Sequence, residues 1–169
     1  MGLGSPILFR SVARAVPSRF ATLTVPRILY ERMVAHCREE WPKEACGIMT
    51  GKGGVARRAY ALRNVHAQPA IRYQIDPADQ HVAMQGVLAG QEELVAIYHS
   101  HPTTVAYPSR TDVAMARYPE AAYVIVSMAG QEPEVKAFRI TDGEVAELPW
   151  RVADLAGEWV DLRWLPERE

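Results

Sequence analysis

The dipeptide Asp142-Gly143 limits the folds open to this chain more than any other short feature. It lies between residues 134–141 and 144–148, two short segments with the composition of β-strands. Asp-Gly is a preferred sequence for the tight turn of a β-hairpin. The sequence therefore predicts a hairpin near its C-terminal end, which argues against a doubly wound, purely parallel sheet.

Strand-like and helix-like segments alternate along the rest of the chain. One helix is expected to begin at Pro26 and to end before Pro42, and a second is expected between Asp76 and Gly90. Because helices are interleaved with strands that pair as hairpins, we predict an α+β fold with a mixed, largely antiparallel sheet flanked by helices. The other predicted strands are residues 21–25, 45–50, 55–62, 72–75, 94–99 and 122–128, and the third predicted helix covers about 110–117.

The length of 169 residues fits one domain, which we expect at residues 21–150. A C-terminal tail at 151–169 is expected to pack on this domain as a helix or an irregular strap. Residues 1–20 contain basic but no acidic side chains, and the first acid is Glu31. Such a start resembles an organelle transit peptide. A flexible basic extension is the preferred interpretation, because nothing else in the sequence indicates an organelle.

The composition excludes several classes of protein. The net charge of -1 does not suit a nucleic-acid binder or a polybasic membrane binder. No stretch approaches 18 consecutive apolar residues, so no membrane-spanning helix is predicted. The two cysteines, Cys37 and Cys46, are too few for a disulfide framework or a cysteine-rich zinc site. We expect a cytoplasmic protein that binds neither nucleic acid nor membrane.

A set of metal-ligating residue types follows the predicted strand at 94–99. Residues two apart in an extended segment point to the same side, so His99 and His101 can direct both imidazoles at one point. Asp112 lies eleven residues after His101, where a proline-containing loop can return it on the first turn of the next helix. Two histidines and one carboxylate form a ligand set that catalytic zinc uses, with the fourth position left for water.

Each part of this pattern has an ordinary explanation when it is taken alone. A His-X-His sequence often occurs by chance at the end of a strand. Ser109, three residues before Asp112, fits a helix capping box. A glutamate at the end of a helix, such as Glu44, is by default solvated. The combination is more specific than its parts.

The combined pattern of His99, His101, Ser109 and Asp112 resembles the JAMM signature of the MPN-plus metalloproteases. That signature is His-X-His, ten residues and then Asp, with a Ser three residues before the Asp. The resemblance covers roughly residues 21–148 and implies a single MPN/JAMM-like domain. It also implies one zinc ion per chain, held by His99, His101 and Asp112.

The family has a glutamate upstream, near the end of the first helix, and Glu44 occupies that place here. By resemblance, Glu44 would not bind the metal but would accept a proton from the metal-bound water and pass it to the leaving amine. This role requires Glu44 to lie close to the metal. Ser109 would donate a hydrogen bond to the oxyanion of the tetrahedral intermediate.

Residues 44–47 (Glu-Ala-Cys-Gly) and 98–102 (Tyr-His-Ser-His-Pro) look most like the short prokaryotic members of the family. Those members act on ubiquitin-like sulfur-carrier proteins, and cysteine-releasing peptidases are among them. The resemblance implies a zinc-dependent peptidase or isopeptidase that cleaves the amide bond after the C-terminal Gly-Gly of such a carrier. The sequence leaves open which carrier or conjugate is the substrate, and whether the chain is a monomer or a homodimer.

Three alternatives remain. The chain could be a non-catalytic MPN-type scaffold, but its complete ligand set and Glu44 argue against this. It could be a DNA-repair-associated JAMM-like protein, but its balanced charge argues against a DNA-binding surface. Cys46 could be a nucleophile, but no base is placed beside it in the sequence, and an isolated cysteine is usually a small buried hydrophobic residue.

Overall fold

The structure is a computed structural model, and it describes residues 20–155 and 161–164. Its strands are β1 (Leu23–Pro26), β2 (Cys46–Lys52), β3 (Val55–Leu62), β4 (Glu93–His101), β5 (Ala122–Ser127), β6 (Glu134–Thr141), β7 (Glu144–Glu147), β8 (Trp150–Ala153) and β9 (Asp161–Trp164). Its helices are α1 (Arg27–Glu40), α2 (Pro77–Ala83), α3 (Gln85–Leu88) and α4 (Arg110–Met115).

The strands form one mixed sheet in the order β7-β6-β5-β4-β2-β3-β1-β8, and β9 pairs with β3 outside this path. The interior strand β4 runs antiparallel to β2 on one side and parallel to β5 on the other. The α+β class and the mixed sheet are confirmed. The position of β4 matters for function, because this strand carries both histidines of the predicted metal site.

The two faces of the sheet are covered by different helices. Successive residues of a strand point to opposite faces, so Met49 and Ile48 of β2 belong to two separate clusters of buried side chains. The first cluster includes Leu29 and Met33 of α1. The second includes Ala83 of α2 and packs against α4. Alternation along β4 directs its histidines to the α4 face.

The predicted hairpin is present between β6 and β7, which pair in antiparallel register. Asp142 and Gly143 at its turn both have positive φ angles, of 50° and 83°. A two-residue turn with positive φ at both positions matches the right-handed twist of the strands. Glycine adopts this conformation without steric cost and aspartate at little cost, which explains why this dipeptide was informative.

Two predictions for the middle of the chain need correction. Residues 72–75 do not form a strand, and Ile75 makes only an isolated bridge with Asn64. The backbone of this segment instead bonds to the Asn64 side chain and to its own loop. The helix expected between Asp76 and Gly90 is divided at Met84 into α2 and α3.

Where the structure describes it, the C-terminal tail forms strands and not the expected helix or irregular strap. Residues 150–153 form β8, which extends the sheet by pairing in parallel with β1, and residues 161–164 pair with β3. Without β8, the edge of β1 would present unpaired backbone groups. The expectations for residues 1–19, 156–160 and 165–169 lie outside the described residues. Within the described ranges, no helix is long and apolar enough to cross a membrane.

Candidate metal centre and active site

The C-terminal end of β4 places His99 and His101 side by side. The strand pairs there with β2 through His99 and Cys46, and with β5 through His101 and Ser127. Both histidines are buried, and their Nε2 atoms lie 3.1 Å apart. The predicted convergence of the two imidazoles is therefore present. Ser100, which alternates with them, points the other way and accepts a hydrogen bond from the Ala45 N–H.

Asp112 reaches the two histidines from the first turn of α4. The helix begins with a capping box, in which Ser109 Oγ accepts from the Asp112 N–H at 3.1 Å and Asp112 Oδ2 accepts from the Ser109 N–H at 2.7 Å. The carboxylate also faces the imidazoles, with Oδ1 at 3.3 Å from His99 Nε2 and Oδ2 at 3.3 Å from His101 Nε2. The cap thus fixes the orientation of a candidate metal ligand.

The donor atoms of this group fit a metal ion. Their separations of 3.1 to 3.3 Å are close to the roughly 3.3 Å between neighbouring ligand atoms in a tetrahedral zinc site. His101 Nδ1 lies 2.8 Å from the Val105 carbonyl, which can only accept, so Nδ1 carries the proton. The Nε2 lone pair of His101 is then directed at the other donors, as metal ligation requires.

Electrostatics keeps His99 and Asp112 in the protonation states that a metal needs. The pKa of His101 is instead raised, because its hydrogen bonds with Asp112 and Val105 outweigh the effect of burial. Burial lowers the pKa of His99, which keeps this imidazole neutral. Burial alone would raise the pKa of Asp112, but in the metal-free protein hydrogen bonds from His101 and His99, each with a proton on Nε2, outweigh it and hold that pKa well below its usual value. A neutral imidazole and an ionised carboxylate are the forms that bind metals.

Glu44 lies outside regular secondary structure, between the end of α1 and the start of β2. Its side chain is buried, and Oε2 has no hydrogen-bond partner among the described residues. Burial raises the pKa of Glu44 to about 7, while the charge of His101 opposes and that of Asp112 adds to this increase. A solvated glutamate at a helix end is therefore the wrong interpretation. The structure places the carboxyl group within electrostatic reach of two candidate ligands.

Two residues near this group were missed by sequence reasoning. The ring of Tyr73 stacks on His99, with centroids 4.5 Å apart and planes inclined by 24°. Asn64 donates a hydrogen bond to the Glu44 carbonyl at 3.0 Å. The strand predicted at residues 72–75 gave no indication that Tyr73 contacts His99. For Asn64, the one available sequence signal was that it is the only asparagine of the chain.

A cavity of about 480 Å³ opens beside Asp112, between the 65–75 loop and α4. The cavity is lined by Ile48, His66, Ile71, Arg72, Tyr73, Gln74, Ile75, Pro77, Gln80, Ile97, Thr111, Asp112, Met115, Arg117, Tyr118 and Tyr123.

Cys46 faces the interior of the protein, and burial raises the pKa of its thiol well above the usual range. A thiol that stays protonated is a poor nucleophile, which supports the expectation of a small buried hydrophobic residue.

A mixed sheet with a His-His-Asp group at the end of its interior strand defines a JAB-type domain. The family described as prokaryotic homologs of the JAB domain matches residues 26–141, and the chain belongs to this family. The resemblance inferred from the sequence motif is thereby confirmed.

Named relatives and a solved structure resemble the chain over most of its length. It is 39% identical to the CysO-cysteine peptidase of Mycobacterium tuberculosis over 135 residues, which are 78% of this chain and 92% of that protein. It is 35% identical to a probable TtuB-protein conjugate cleaving protease of Thermus thermophilus, covering 85% of this chain and 94% of the relative. A solution structure from Desulfitobacterium hafniense superposes with a TM-score of 0.70 at 32% identity, covering 79% and 94% of the two chains. The names of the two relatives support a hydrolase.

Proposed function

We propose that this chain is a zinc-dependent peptidase or isopeptidase. It would hydrolyse the amide bond after the C-terminal Gly-Gly of a ubiquitin-like or sulfur-carrier protein, with residues 21–150 as the catalytic domain. The observation that carries the proposal is the convergence of His99, His101 and Asp112 beside the buried carboxyl group of Glu44. The named relatives support the substrate class, since they are a CysO-cysteine peptidase and a TtuB-conjugate protease.

His99, His101 and Asp112 would hold one zinc ion per chain. When bound, zinc lowers the pKa of a coordinated water toward neutrality and polarises a carbonyl group. The chain contributes the orientation of the ligands. The Val105 carbonyl fixes the tautomer of His101, and the Ser109 N–H fixes one oxygen of Asp112.

Glu44 would act as the general base and then as the general acid. Its carboxylate would accept a proton from the attacking water and later deliver it to the leaving amine. Burial, which raises the pKa of Glu44 in the metal-free protein, makes the carboxyl group a better proton acceptor than a solvated glutamate. A neighbouring cation would favour the ionised form, so Glu44 would enter the reaction as a base at neutral pH.

Ser109 would donate a hydrogen bond to the oxyanion. In the capping box its oxygen accepts from the Asp112 N–H, so its own hydrogen is not used there. The hydroxyl can therefore cap the helix and donate to the substrate at the same time. Ser109 is exposed at the N-terminus of α4, where a substrate has access to it.

The cavity beside Asp112 gives the substrate an entrance. Its walls include apolar residues of the sheet, Ile48 and Ile97, and exposed apolar residues at the rim, Ile71 and Met115. A Gly-Gly tail carries no side chains, so an extended tail can reach a buried centre that a bulkier peptide could not enter.

The test is hydrolysis of defined conjugates by zinc-loaded protein, followed by intact mass. One conjugate carries cysteine on the C-terminal Gly-Gly of a sulfur carrier, and the other carries a lysine side chain at the same position. We expect release of the carrier with a free Gly-Gly carboxylate from at least one conjugate. Protein treated with a chelator and His101→Ala should release none. The proposal would be contradicted if these two controls cleaved a conjugate as fast as the zinc-loaded protein does. It would also be contradicted if the zinc-loaded protein cleaved neither conjugate.

A further inference from the structure

Asn64 is the only asparagine of the chain and lies two residues beyond the end of β3. Its side-chain amide bonds to backbone groups only, three as donor and two as acceptor. An amide has two donor hydrogens and an oxygen with two lone pairs, so this group is used to its full capacity, with one hydrogen shared between two carbonyls. The partners of Nδ2 are the carbonyls of Glu44 and Arg72 at 3.0 Å and of Pro69 at 3.4 Å, and the partners of Oδ1 are the N–H groups of His66 and Gln74 at 3.0 Å.

These bonds join two segments of the chain that are separated in sequence. One is the connection between α1 and β2, which carries Glu44, and the other is the 65–75 loop. The Glu44 N–H donates to the Pro69 carbonyl at 2.7 Å, and the Glu44 carbonyl accepts from Asn64. Both backbone polar groups of Glu44 are therefore bonded to Asn64 or to the 65–75 loop. The same loop carries Tyr73, which stacks on His99.

Glu44 depends on such contacts more than the candidate metal ligands do. His99 and His101 are fixed by the ladders of β4, and Asp112 is fixed by its helix cap. Glu44 lies in neither a helix nor a strand, and its Oε2 atom has no partner among the described groups. Its place is therefore set through its backbone and through Ala45, whose N–H donates to Ser100.

We propose that Asn64 is a positioning residue of the active site, which holds the Glu44 backbone against the 65–75 loop and so sets the direction of the Glu44 carboxylate. This inference rests on the proposed function, in which Glu44 is the base. Asn64 itself bonds only to backbone groups and would contact neither the substrate nor the metal. Its effect on the reaction would pass through Glu44.

The kinetic test is a double-mutant cycle between Asn64 and Glu44. Asn64→Ala should keep the zinc stoichiometry and lower kcat by about 10–100-fold, since a displacement of about 1 Å of a catalytic group has this effect. KM should change little. In the Glu44→Gln background, Asn64→Ala should lower kcat by less than about threefold, because the group that it positions has already been removed.

Two further variants separate positioning from general destabilisation. Asn64→Asp keeps the shape and the accepted bonds but cannot donate to the Glu44 carbonyl, so it should repeat the loss of kcat in a well-folded protein. Asp76→Ala removes the N-cap of α2, at the end of the same loop, and costs about 1 kcal/mol of stability. It should leave kcat unchanged.

A second measurement needs no enzymatic activity. Amide hydrogen exchange at Glu44, compared with Ile97 of β4 in the same metal-free sample, should be at least about tenfold faster in Asn64→Ala and Asn64→Asp. Asp76→Ala should not change this ratio. This exchange measurement remains decisive even if no conjugate is cleaved. Such a result would contradict the proposed function but not the positioning role of Asn64.

The inference is wrong if Asn64→Asp has the wild-type kcat and wild-type exchange at Glu44. It is also wrong if the kinetic losses from Asn64→Ala and Glu44→Gln add in full, because Asn64 would then act independently of Glu44. A wild-type rate in Glu44→Gln would instead contradict the assigned base.

Discussion

Glu44 and His101 lie in the same site, but replacing them should have different effects on zinc content and turnover. Glu44→Gln keeps the shape of the side chain but cannot accept a proton near neutral pH. We expect near-normal zinc content and a kcat lowered by about 10²–10⁴, as for a lost general base. His101→Ala should lose zinc and activity together, because it removes a proposed ligand.

Metal content and turnover of the two variants are sufficient to check this prediction. If Glu44→Gln keeps more than about a tenth of the wild-type rate, the base is another group. If it loses zinc as His101→Ala does, Glu44 is a ligand.

Ser109 has a structural role that the geometry shows and a catalytic role that we propose. Ser109→Ala removes the acceptor for the Asp112 N–H, which should cost about 1 kcal/mol in stability. Loss of an oxyanion donor should also lower kcat by roughly 10²–10³ with the zinc content retained. Thermal unfolding and steady-state kinetics separate the two effects. Asp76→Ala serves as a control for capping alone, and an unchanged kcat in Ser109→Ala would leave only the cap.

The sequence predicted the candidate metal ligands better than their surroundings, for a physical reason. His99 and His101 are two residues apart in a strand, and Ser109 and Asp112 are three apart in a cap, so local geometry determines how each pair points. Asn64 and Tyr73 act on residues 20 and 26 positions away, Glu44 and His99. Contacts of this kind depend on how the loop folds, which no local periodicity encodes.

At the scale of elements, the packing of β2 beside β4 requires a residue without a side chain at position 47. Gly47 of β2 pairs with Tyr98, and a Cβ atom at Gly47 would overlap the Tyr98 ring and the Tyr60 carbonyl. The Tyr98 hydroxyl also bonds to His36 of α1 at 2.8 Å, which holds the ring in place. The ring cannot move without loss of this bond, so position 47 is restricted to glycine.

Gly47→Ala should therefore lower the free energy of unfolding by about 1–3 kcal/mol, as expected for an overpacked interior. Gly86→Ala is the matched control. Its Cβ would meet only the end of the flexible Glu92 side chain, and alanine is favoured over glycine in a helix such as α3. Chemical denaturation of the two variants checks this expectation. Equal stabilities would show that the Tyr98 ring and the Tyr60 carbonyl can both move at no cost.

Hydrophobic periodicity predicted the strands correctly where their side chains are buried continuously or alternate between buried and exposed. The bounds of β3 and β6 agree with the prediction, since burial alternates or is continuous there. It failed at residues 72–75, which have strand-like composition but take their hydrogen bonds from a side chain. It failed again at β8, because pairing with β1 depends on a strand more than a hundred residues away.

For the whole molecule, the buried carboxyl group makes stability depend on pH. In the metal-free protein the pKa of Glu44 is raised from 4.5 to about 7, so the folded state holds a proton that the unfolded state has released. The stability from neutral Glu44 is complete below pH 4.5 and is lost as pH rises through about 7.

Gln cannot ionise, so metal-free Glu44→Gln should gain stability relative to wild type as pH rises from 5 to 8. The gain should reach at most about 3 kcal/mol, from 1.36 kcal/mol per pKa unit. Denaturation of both proteins across this pH range measures the difference. A difference that does not vary with pH would mean that the carboxyl group is already ionised in the folded metal-free protein.

The pairing of β1 with β8 also bears on the order in which the domain can be completed. Leu23 lies opposite Trp150, Thr24 accepts from Arg151, and Arg27 pairs with Asp154 at 2.5 Å. During synthesis, the ribosome has already produced both histidines and Asp112 when β1 still lacks this neighbour. Closing so long a loop is entropically costly and favours slow folding. A nascent chain that ends before Pro149 would therefore hold every residue of the proposed active site but expose a strand edge open to pairing with other chains.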